Sequence, residues 1–202
     1  IATHALCEVI AKTCTIPINN WYIEGNFSGD KKASALGLMT GRGRKVSASV
    51  VLPAKVIETV LGTTAAEMLA YGRIADLGSK LSGQMGAQAH YANGLAALYI
   101  ATGQDAACVA ESAVGFTRME PRGDGLFCSV TMPNILVGSV GGGTSLPSQS
   151  AGLNVMGLKG AGNGAALAEV TAALCLCGEI SIVAAIAAGD FTRAHENLAR
   201  HR

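Results

Sequence analysis

Apolar and polar positions alternate with different periods along the chain. In residues 2–13 apolar side chains recur every three or four positions, which predicts a helix with one buried face. Pro17 ends this helix. The aromatic and β-branched residues of 21–27 predict a strand, and the polar residues 28–32 predict a loop after it.

The middle of the chain is predicted to contain one strand and three helices. The strand covers the β-rich residues 46–52. A proline begins the first helix, a Thr-Ala-Ala-Glu capping box begins the second, and Gly62 and Gly103 follow the ends of the first and third. These helices cover residues 53–61, 64 onward, and 88–102.

The last third begins with strands and ends with helices. Apolar β-rich runs predict strands at 113–120, 126–131 and 134–140, with a turn at 121–125. Helical periodicity predicts helices at 151–158, 165–176, 180–188 and 190–200, the last with Asp190 as N-cap. The mixture of strands and helices predicts an α+β fold.

Composition narrows the class of protein. The 202 residues are 50% hydrophobic and only 14% charged, which supports a sizeable core and argues against disorder. A net charge of +1 without a basic run argues against nucleic acid as a partner. The small number of charges also predicts large buried interfaces, and therefore an oligomer.

Three features of the sequence indicate where the protein is located: its first residues, its longest apolar stretch and its cysteines. The chain begins with Ile1, and its first residues carry both acidic and basic side chains, so we expect neither a signal peptide nor a transit peptide. Glu169 and Glu179 interrupt the longest apolar stretch, residues 165–188, which we interpret as a buried helix pair rather than a membrane span. The six cysteines form no CxxC pair and no Cys/His cluster, which predicts reduced thiols in the cytoplasm and no metal site. They are Cys7, Cys14, Cys108, Cys128, Cys175 and Cys177.

Two candidate chemical motifs contain charged residues. Asp30-Lys31-Lys32 is either a solvated turn or a site for a carboxylate or a developing oxyanion. In Gly103-Gln104-Asp105 an acidic side chain precedes an apolar run. That carboxylate is either a helix cap or a functional acid that needs a cationic partner.

Two further motifs lie nearer the C-terminus. The glycine run in residues 138–144 follows a predicted strand and would let a ligand approach the backbone closely, although flexible turns have the same composition. It matches neither GxGxxG nor a P-loop. His195, on the last predicted helix, is either structural or a general acid that works near neutral pH.

Taken in order, the motifs resemble one family. The segments are Asn26 to Lys32, Thr102 to Ala107, Val137 to Thr144, Gly178 to Ser181 and Ala187 to His195. Together they resemble the 3-hydroxy-3-methylglutaryl-coenzyme A (HMG-CoA) reductases of the eukaryote-like class, over nearly the whole chain. The resemblance implies NADPH-dependent reduction of HMG-CoA to mevalonate and CoA by two hydride transfers.

The resemblance also implies roles for individual residues. Lys31 would stabilise the oxyanions of the two reductive steps, Asp105 would hold Lys31 and tune its proton affinity, and His195 would protonate the departing CoA thiolate. The implied substrate-binding residues are Glu24, Asn26, Asp30, Lys32, Arg73, His90, Asn93 and Ser181. The implied cofactor-binding residues are Val140, Gly141, Gly142, Gly143 and Arg200. Glu24 replaces a serine and Arg73 replaces a lysine of many family members.

The architecture implied by the resemblance has two parts. Residues 1–22 would be the tail of a ferredoxin-like, NADP-binding small domain, and 23–202 the large catalytic domain, with a long central helix and mixed strands. The family's catalytic glutamate and its Asp-Ala-Met-Gly motif are expected before Ile1, where a membrane anchor is also an open question. We expect a cytoplasmic catalytic portion that forms a dimer or larger assembly with shared active sites.

Two alternatives to an active reductase remain at this point. One is a non-catalytic module that binds acyl-CoA or a nucleotide, and the other is an inactive fragment. The presence of both His195 and Asp105 favours catalysis, because binding alone needs neither a proton donor nor a buried carboxylate. The catalytic interpretation predicts a direct or single-water contact between Lys31 and Asp105.

Overall fold

A computed structural model describes residues 2–190, and the predicted helix at 190–200 therefore lies outside the described residues. The chain divides into two compact units, Ile1–Asp30 and Lys31–Arg202. This division falls after the predicted boundary at residue 22. The assignment of 1–22 to a small domain and 23–202 to a large catalytic domain stays a prediction.

The first unit contains one helix, α1 (Ala2–Thr13), among its described residues. Its bounds agree with the prediction, but the predicted buried face is wrong, because no residue of α1 is buried. The predicted strand at 21–27 is also wrong. There Asn26 takes a left-handed φ of 63°, which interrupts an extended backbone.

In the second unit, residues up to 190 form one antiparallel sheet of three strands. The strands are β1 (Arg44–Leu52), β2 (Phe116–Arg122) and β3 (Gly125–Ile135), in the order β1-β3-β2. β2 and β3 form a hairpin whose turn contains Gly123 at a φ of 61°. The predicted turn is therefore confirmed, although it is shorter than expected.

The predicted break before Asn134 is wrong, because β3 continues through Pro133 to Ile135. Proline lacks an N–H donor and is usually excluded from a central strand. Here the ladder with β2 reaches only Thr131, which faces the first residue of β2, and the β1 ladder is irregular next to Pro133. The sheet has a bulge at this position, so the N–H that Pro133 lacks is not needed for a hydrogen bond.

The helices of this unit begin and end at recognisable caps. Thr64 and Glu67 form the predicted capping box, and Gly62 and Gly103 end two helices with left-handed φ angles of 67° and 71°. The predicted helix at 151–158 lies about one turn earlier, because Pro147 occupies its first position. The helices are α2 (Ala35–Thr40), α3 (Ala54–Leu61), α4 (Ala65–Leu81), α5 (Tyr91–Thr102), α6 (Val109–Ser112), α7 (Pro147–Val155) and α8 (Gly164–Ala187).

The long helix α8 lies at the centre of the core. It packs on β1, β3, α4 and α5, and its core residues include Leu167, Cys175 and Val183. Two helices were predicted here, but α8 runs without a break through Gly178. By length and composition α8 could cross a membrane, yet 44% of its most apolar stretch is buried in the protein, so we assign it to the core.

The observed architecture confirms the predicted α+β class. The sheet, α5, α7 and α8 share one hydrophobic cluster that includes Leu95, Met132 and Leu153. Three of the six cysteines are buried, and all six are free thiols. Burial raises the pKa of the Cys128 thiol to about 11 and that of Cys175 to about 12, so both are protonated, unreactive core residues at neutral pH.

Candidate functional site

Lys31 and Asp105 meet although they are far apart in the sequence. The Lys31 Nζ lies 3.1 Å from the Asp105 Oδ2, so the predicted contact is present. The two side chains are 43% and 52% exposed. An ion pair that is half in solvent contributes little to stability, but it is accessible to a ligand.

Asp105 is a helix cap, and it also has a cationic partner, while its functional role stays a prediction. It is the N-cap of a 3₁₀ helix (Ala106–Cys108), and its Oδ1 accepts a hydrogen bond from the Ala107 N–H at 3.0 Å. Its other oxygen faces Lys31. The hydrogen bond from Lys31, followed by that from Ala107, lowers the pKa of Asp105, so the carboxylate is ionised at neutral pH.

A second carboxylate, which the sequence analysis missed, holds the backbone of Lys31. Glu111 is 4% exposed and accepts a hydrogen bond from the Lys31 N–H. Its partner is Arg42, whose Nη2 lies 2.8 Å from the Glu111 Oε1. The Arg42 hydrogen bond is the main reason why the pKa of Glu111 is lowered. An acidic residue in the apolar run 106–114 was the signal that could have identified this site.

The segment before Lys31 is organised by its own side chains. Glu24 accepts hydrogen bonds from the Asn26 N–H and, at 3.1 Å, from the Ser28 hydroxyl. The Ser28 Oγ in turn accepts from the Asp30 N–H at 3.2 Å. Glu24 therefore has a local structural contact in this loop, and its predicted role in substrate binding stays a prediction.

Gln104 fastens the glycine run to the motif that carries Asp105. Its Oε1 accepts from the Gly138 N–H at 2.8 Å, and its Nε2 donates to the Gly138 carbonyl at 3.0 Å. A second link joins the Gly143 N–H to the Gly103 carbonyl at 3.1 Å. A Cβ on Gly103 would lie 2.3 Å from the Gly143 carbonyl carbon, so this approach requires glycine.

The glycine run offers an open backbone next to these links. Gly141 and Gly142 have left-handed φ angles of 84° and 52°. A Cβ on Gly141 would meet no atom of residues 2–190 within 4 Å, and Val140 is 65% exposed. A flat ring could therefore lie against this backbone, which suits the nicotinamide site predicted for these residues.

A second cluster surrounds Glu179 on α8. Glu179 is 1% exposed and accepts hydrogen bonds from the N–H groups of Ala89 and His90 at 2.8 and 2.5 Å. The Thr117 hydroxyl donates to its other oxygen at 3.0 Å. Burial raises the pKa of Glu179 above its ordinary value, although these hydrogen bonds oppose the shift.

His90 is packed against α8. Among the described residues its Nδ1 is buried and has no hydrogen-bond partner. A Cβ on Gly178 would lie 1.8 Å from that nitrogen, and one on Gly94 would lie 3.2 Å from it. The imidazole therefore fits between two helices only because both have glycine at the contact.

The structure places the remaining described site residues on several different elements. Arg73 lines a cavity of about 400 Å³ with Glu179 and Thr117, and the lining found among residues 2–190 includes neither Lys31 nor Asp105. Other predicted substrate residues are solvent-exposed: Asn26 and Lys32 in the loop, Asn93 on α5 and Ser181 on α8. His195 and Arg200 lie outside the described residues.

Comparison with known proteins gives one consistent result. The family model described as hydroxymethylglutaryl-coenzyme A reductase matches residues 1–200. The chain is 41% identical to the 3-hydroxy-3-methylglutaryl-coenzyme A reductase of Aeropyrum pernix, over 99% of this chain and 49% of that protein. It is 42% identical to the Halobacterium salinarum reductase, over 99% and 50% of the two chains.

A plant relative matches as well. The reductase of Catharanthus roseus is 43% identical over 86% of this chain and 30% of that protein. The chain thus spans about half the length of the archaeal relatives that it matches. The family match covers nearly all of its residues, together with the motifs around Lys31, Asp105 and the glycine run. The chain therefore belongs to the hydroxymethylglutaryl-coenzyme A reductase family.

Proposed function

We propose that the protein carrying this chain reduces HMG-CoA to mevalonate and CoA with NADPH, as an oxidoreductase of isoprenoid synthesis. The relatives are named for the reductase reaction. The observation that carries the proposal is the contact of 3.1 Å between the Lys31 ammonium and the Asp105 carboxylate. Because the chain spans about half of the archaeal relatives, the proposal concerns the whole protein.

Lys31 would act on the oxygen that gains charge in each reductive step. Hydride addition to a thioester or an aldehyde carbonyl turns its oxygen into an oxyanion, and a preorganised cation lowers the energy of that state. The ionised Asp105 would keep the ammonium aimed at this oxygen. The ion pair is too exposed to contribute much to the stability of the fold, and its exposure leaves room for a substrate to bind.

NADPH would supply the hydride, and the glycine run would bind its nicotinamide. The residues proposed to bind the cofactor are Val140, Gly141, Gly142, Gly143 and Arg200. The open space beside Gly141 supports this proposal. Because Gln104 ties the run to the Asp105 motif, the ring and the Lys31 ammonium would be held by one framework.

Substrate binding and proton transfer complete the proposal. Arg73, with the same charge as the lysine of many family members, would bind the substrate carboxylate, although guanidinium and ammonium differ in geometry. The other proposed substrate residues are Glu24, Asn26, Asp30, Lys32, His90, Asn93 and Ser181. His195 would protonate the CoA thiolate as it leaves, because an imidazolium is available as an acid near neutral pH. We also propose a cytoplasmic catalytic portion that self-associates, so that protomers share active sites.

The test is the replacement Lys31→Ala in the longest native polypeptide that contains this chain. We expect kcat for NADPH oxidation that depends on HMG-CoA to fall by roughly 10²- to 10³-fold or more, which is the loss typical of removing an oxyanion partner. Lys80→Ala is the matched control, because Lys80 pairs with Asp76 at 2.5 Å on the exposed surface of α4. It should leave turnover unchanged.

Two results would overturn the proposal. If Lys31→Ala turns over at the rate of the parent protein, Lys31 has no oxyanion role. If the parent polypeptide binds HMG-CoA but oxidises no NADPH, the protein is a binding module instead. Equilibrium dialysis with labelled HMG-CoA, run beside the turnover assay, distinguishes binding from catalysis.

A further inference from the structure

Glu111 is a buried carboxylate that the proposed chemistry does not use. Its side chain is 5% exposed, on the short helix α6, and an uncompensated charge at such a position would be strongly unfavourable. Arg42 compensates it through both carboxylate oxygens: Nη2 to Oε1 at 2.8 Å and Nε to Oε2 at 3.2 Å. This two-bond geometry fixes the direction of the carboxylate as well as its charge.

The same carboxylate contacts the backbone of Lys31. The Glu111 Oε1 accepts a hydrogen bond from the Lys31 N–H. Lys31 has a φ of 59°, in the left-handed region that non-glycine residues rarely adopt. A lysine backbone held in this region needs a stabilising partner, and the buried Glu111 is placed to provide it.

Asn134 connects the carboxylate to the sheet. Its Nδ2 donates to the Glu111 Oε2 at 3.4 Å, and its Oδ1 accepts from the Gly43 N–H at 2.6 Å. A Cβ on Gly41 or Gly43 would lie 2.3 or 2.6 Å from the nearest atom of β3. The turn that carries Arg42 is therefore seated closely on the end of β3.

The geometry points to Glu111 as a positioning residue for Lys31. Asp105 and Glu111 lie on one short segment, where the first holds the ammonium and the second holds the backbone amide of the same lysine. Arg42 and Asn134 keep the Glu111 carboxylate in place. This inference rests on the proposed function of Lys31. It assigns to Glu111 the role of holding the Lys31 backbone so that the ammonium points at the oxygen that gains charge.

The test is Glu111→Gln in the longest native polypeptide that contains this chain. The amide has a single acceptor oxygen, so it cannot accept from Lys31, Arg42 and Asn134 together. We expect kcat per folded molecule to fall roughly 10- to 100-fold, because a small misplacement of a reacting group has a large effect on the rate. The KM values should change by less than about threefold, because ground-state binding does not depend on this aim.

Two further measurements separate positioning from a purely structural role. In the 202-residue chain, the Lys31 amide proton should resonate further upfield in Glu111→Gln, because a charge-assisted hydrogen bond is lost. Glu120→Gln is the control variant, since Glu120 forms an exposed ion pair with Arg118 on β2. It should keep the kcat of the parent protein.

The outcomes distinguish this inference from the proposed function. If Lys31→Ala has no effect on turnover, the proposed function fails, and the inference fails with it. If Lys31→Ala abolishes turnover while Glu111→Gln keeps the parent kcat, only the positioning role is overturned, whether or not the Lys31 amide resonance moves. Should Glu111→Gln not fold, Glu111→Asp replaces it, because Arg42 can still neutralise the shorter carboxylate. A folded Glu111→Asp protein with unchanged kcat overturns the inference, and a reduced kcat supports it.

Discussion

Gly178→Ala should destabilise the protein, although alanine is the better helix former. Gly178 lies inside α8, and a Cβ there would be 1.8 Å from the Nδ1 and 2.3 Å from the Cε1 of His90. The imidazole has little freedom to withdraw, because a Cβ on Gly94 would already lie 3.2 Å from the same ring. Either α8 or the start of α5 must move to admit the methyl group.

The expected size follows from two opposing effects. Replacing a helical glycine by alanine stabilises a helix by about 0.8–1.0 kcal/mol. Inserting a methyl group into a filled contact destabilises a core by about 1–3 kcal/mol or more, and the overlap here is severe. We therefore expect a net loss of about 1–2 kcal/mol in the free energy of unfolding, or roughly 2–8 °C in Tm for a domain of this size.

Urea denaturation of the 202-residue chain, followed by circular dichroism, measures this loss. Gly72→Ala and Gly78→Ala are the matched controls, because both glycines lie inside α4 and a Cβ on either would meet no atom of the described residues within 4 Å. These variants should be stabilised by about 0.8–1.0 kcal/mol. A second comparison is Gly178→Ala in a His90→Ala background, where the methyl group should be tolerated better. If Gly178→Ala is as stable as the two controls, the proposed packing of His90 against α8 is wrong.

Two more predictions concern buried polar groups. Burial raises the pKa of Glu179, so the folded protein binds more protons than the unfolded chain. The stability that this group contributes therefore falls as the pH rises above its unfolded pKa, about 4.3. The urea concentration at the midpoint of unfolding should therefore rise for Glu179→Gln relative to the parent as the pH increases from about 4 to the raised pKa. A difference between the two midpoints that stays constant across a pH series would contradict this. Gln104→Ala removes both hydrogen bonds to the Gly138 backbone, so unfolding should become easier by about 1–3 kcal/mol. Hydrogen exchange of residues 138–144 should become faster, and unchanged protection there would refute the linking role of Gln104.

Local signals in the sequence determined most of the helices and turns. The capping box at Thr64 and the glycines at 62 and 103 mark helix ends, because caps depend on interactions within a few residues. The strand predicted at 46–52 from its β-rich composition is present at 44–52, and the hairpin turn around Gly123 was predictable from its turn residues. The ordered motifs also indicated Lys31, Asp105 and the glycine run, because together they resemble the reductase family.

The errors arose where specific contacts, and not composition, decide the local conformation. Residues 21–27 have strand-forming composition, but Asn26 adopts a left-handed backbone with its N–H bonded to Glu24. Separate strands were predicted at 126–131 and 134–140, but β3 continues through Pro133, whose missing N–H lies beyond the β2 ladder and at the bulge against β1. Two helices were predicted at 165–176 and 180–188, but α8 is continuous, and its Gly178 is required by the imidazole of His90.

Only the tertiary structure determined how the candidate site is assembled. The sequence could predict that Asp105 needs a cation, but the approach of Lys31 depends on chain segments that come together on folding. Glu111 and Arg42 bear no recognisable motif, and their pairing depends on how the turn at 41–43 seats on the end of β3. A buried carboxylate must find a partner wherever the fold provides one, so its role can be inferred only once the contacts are known.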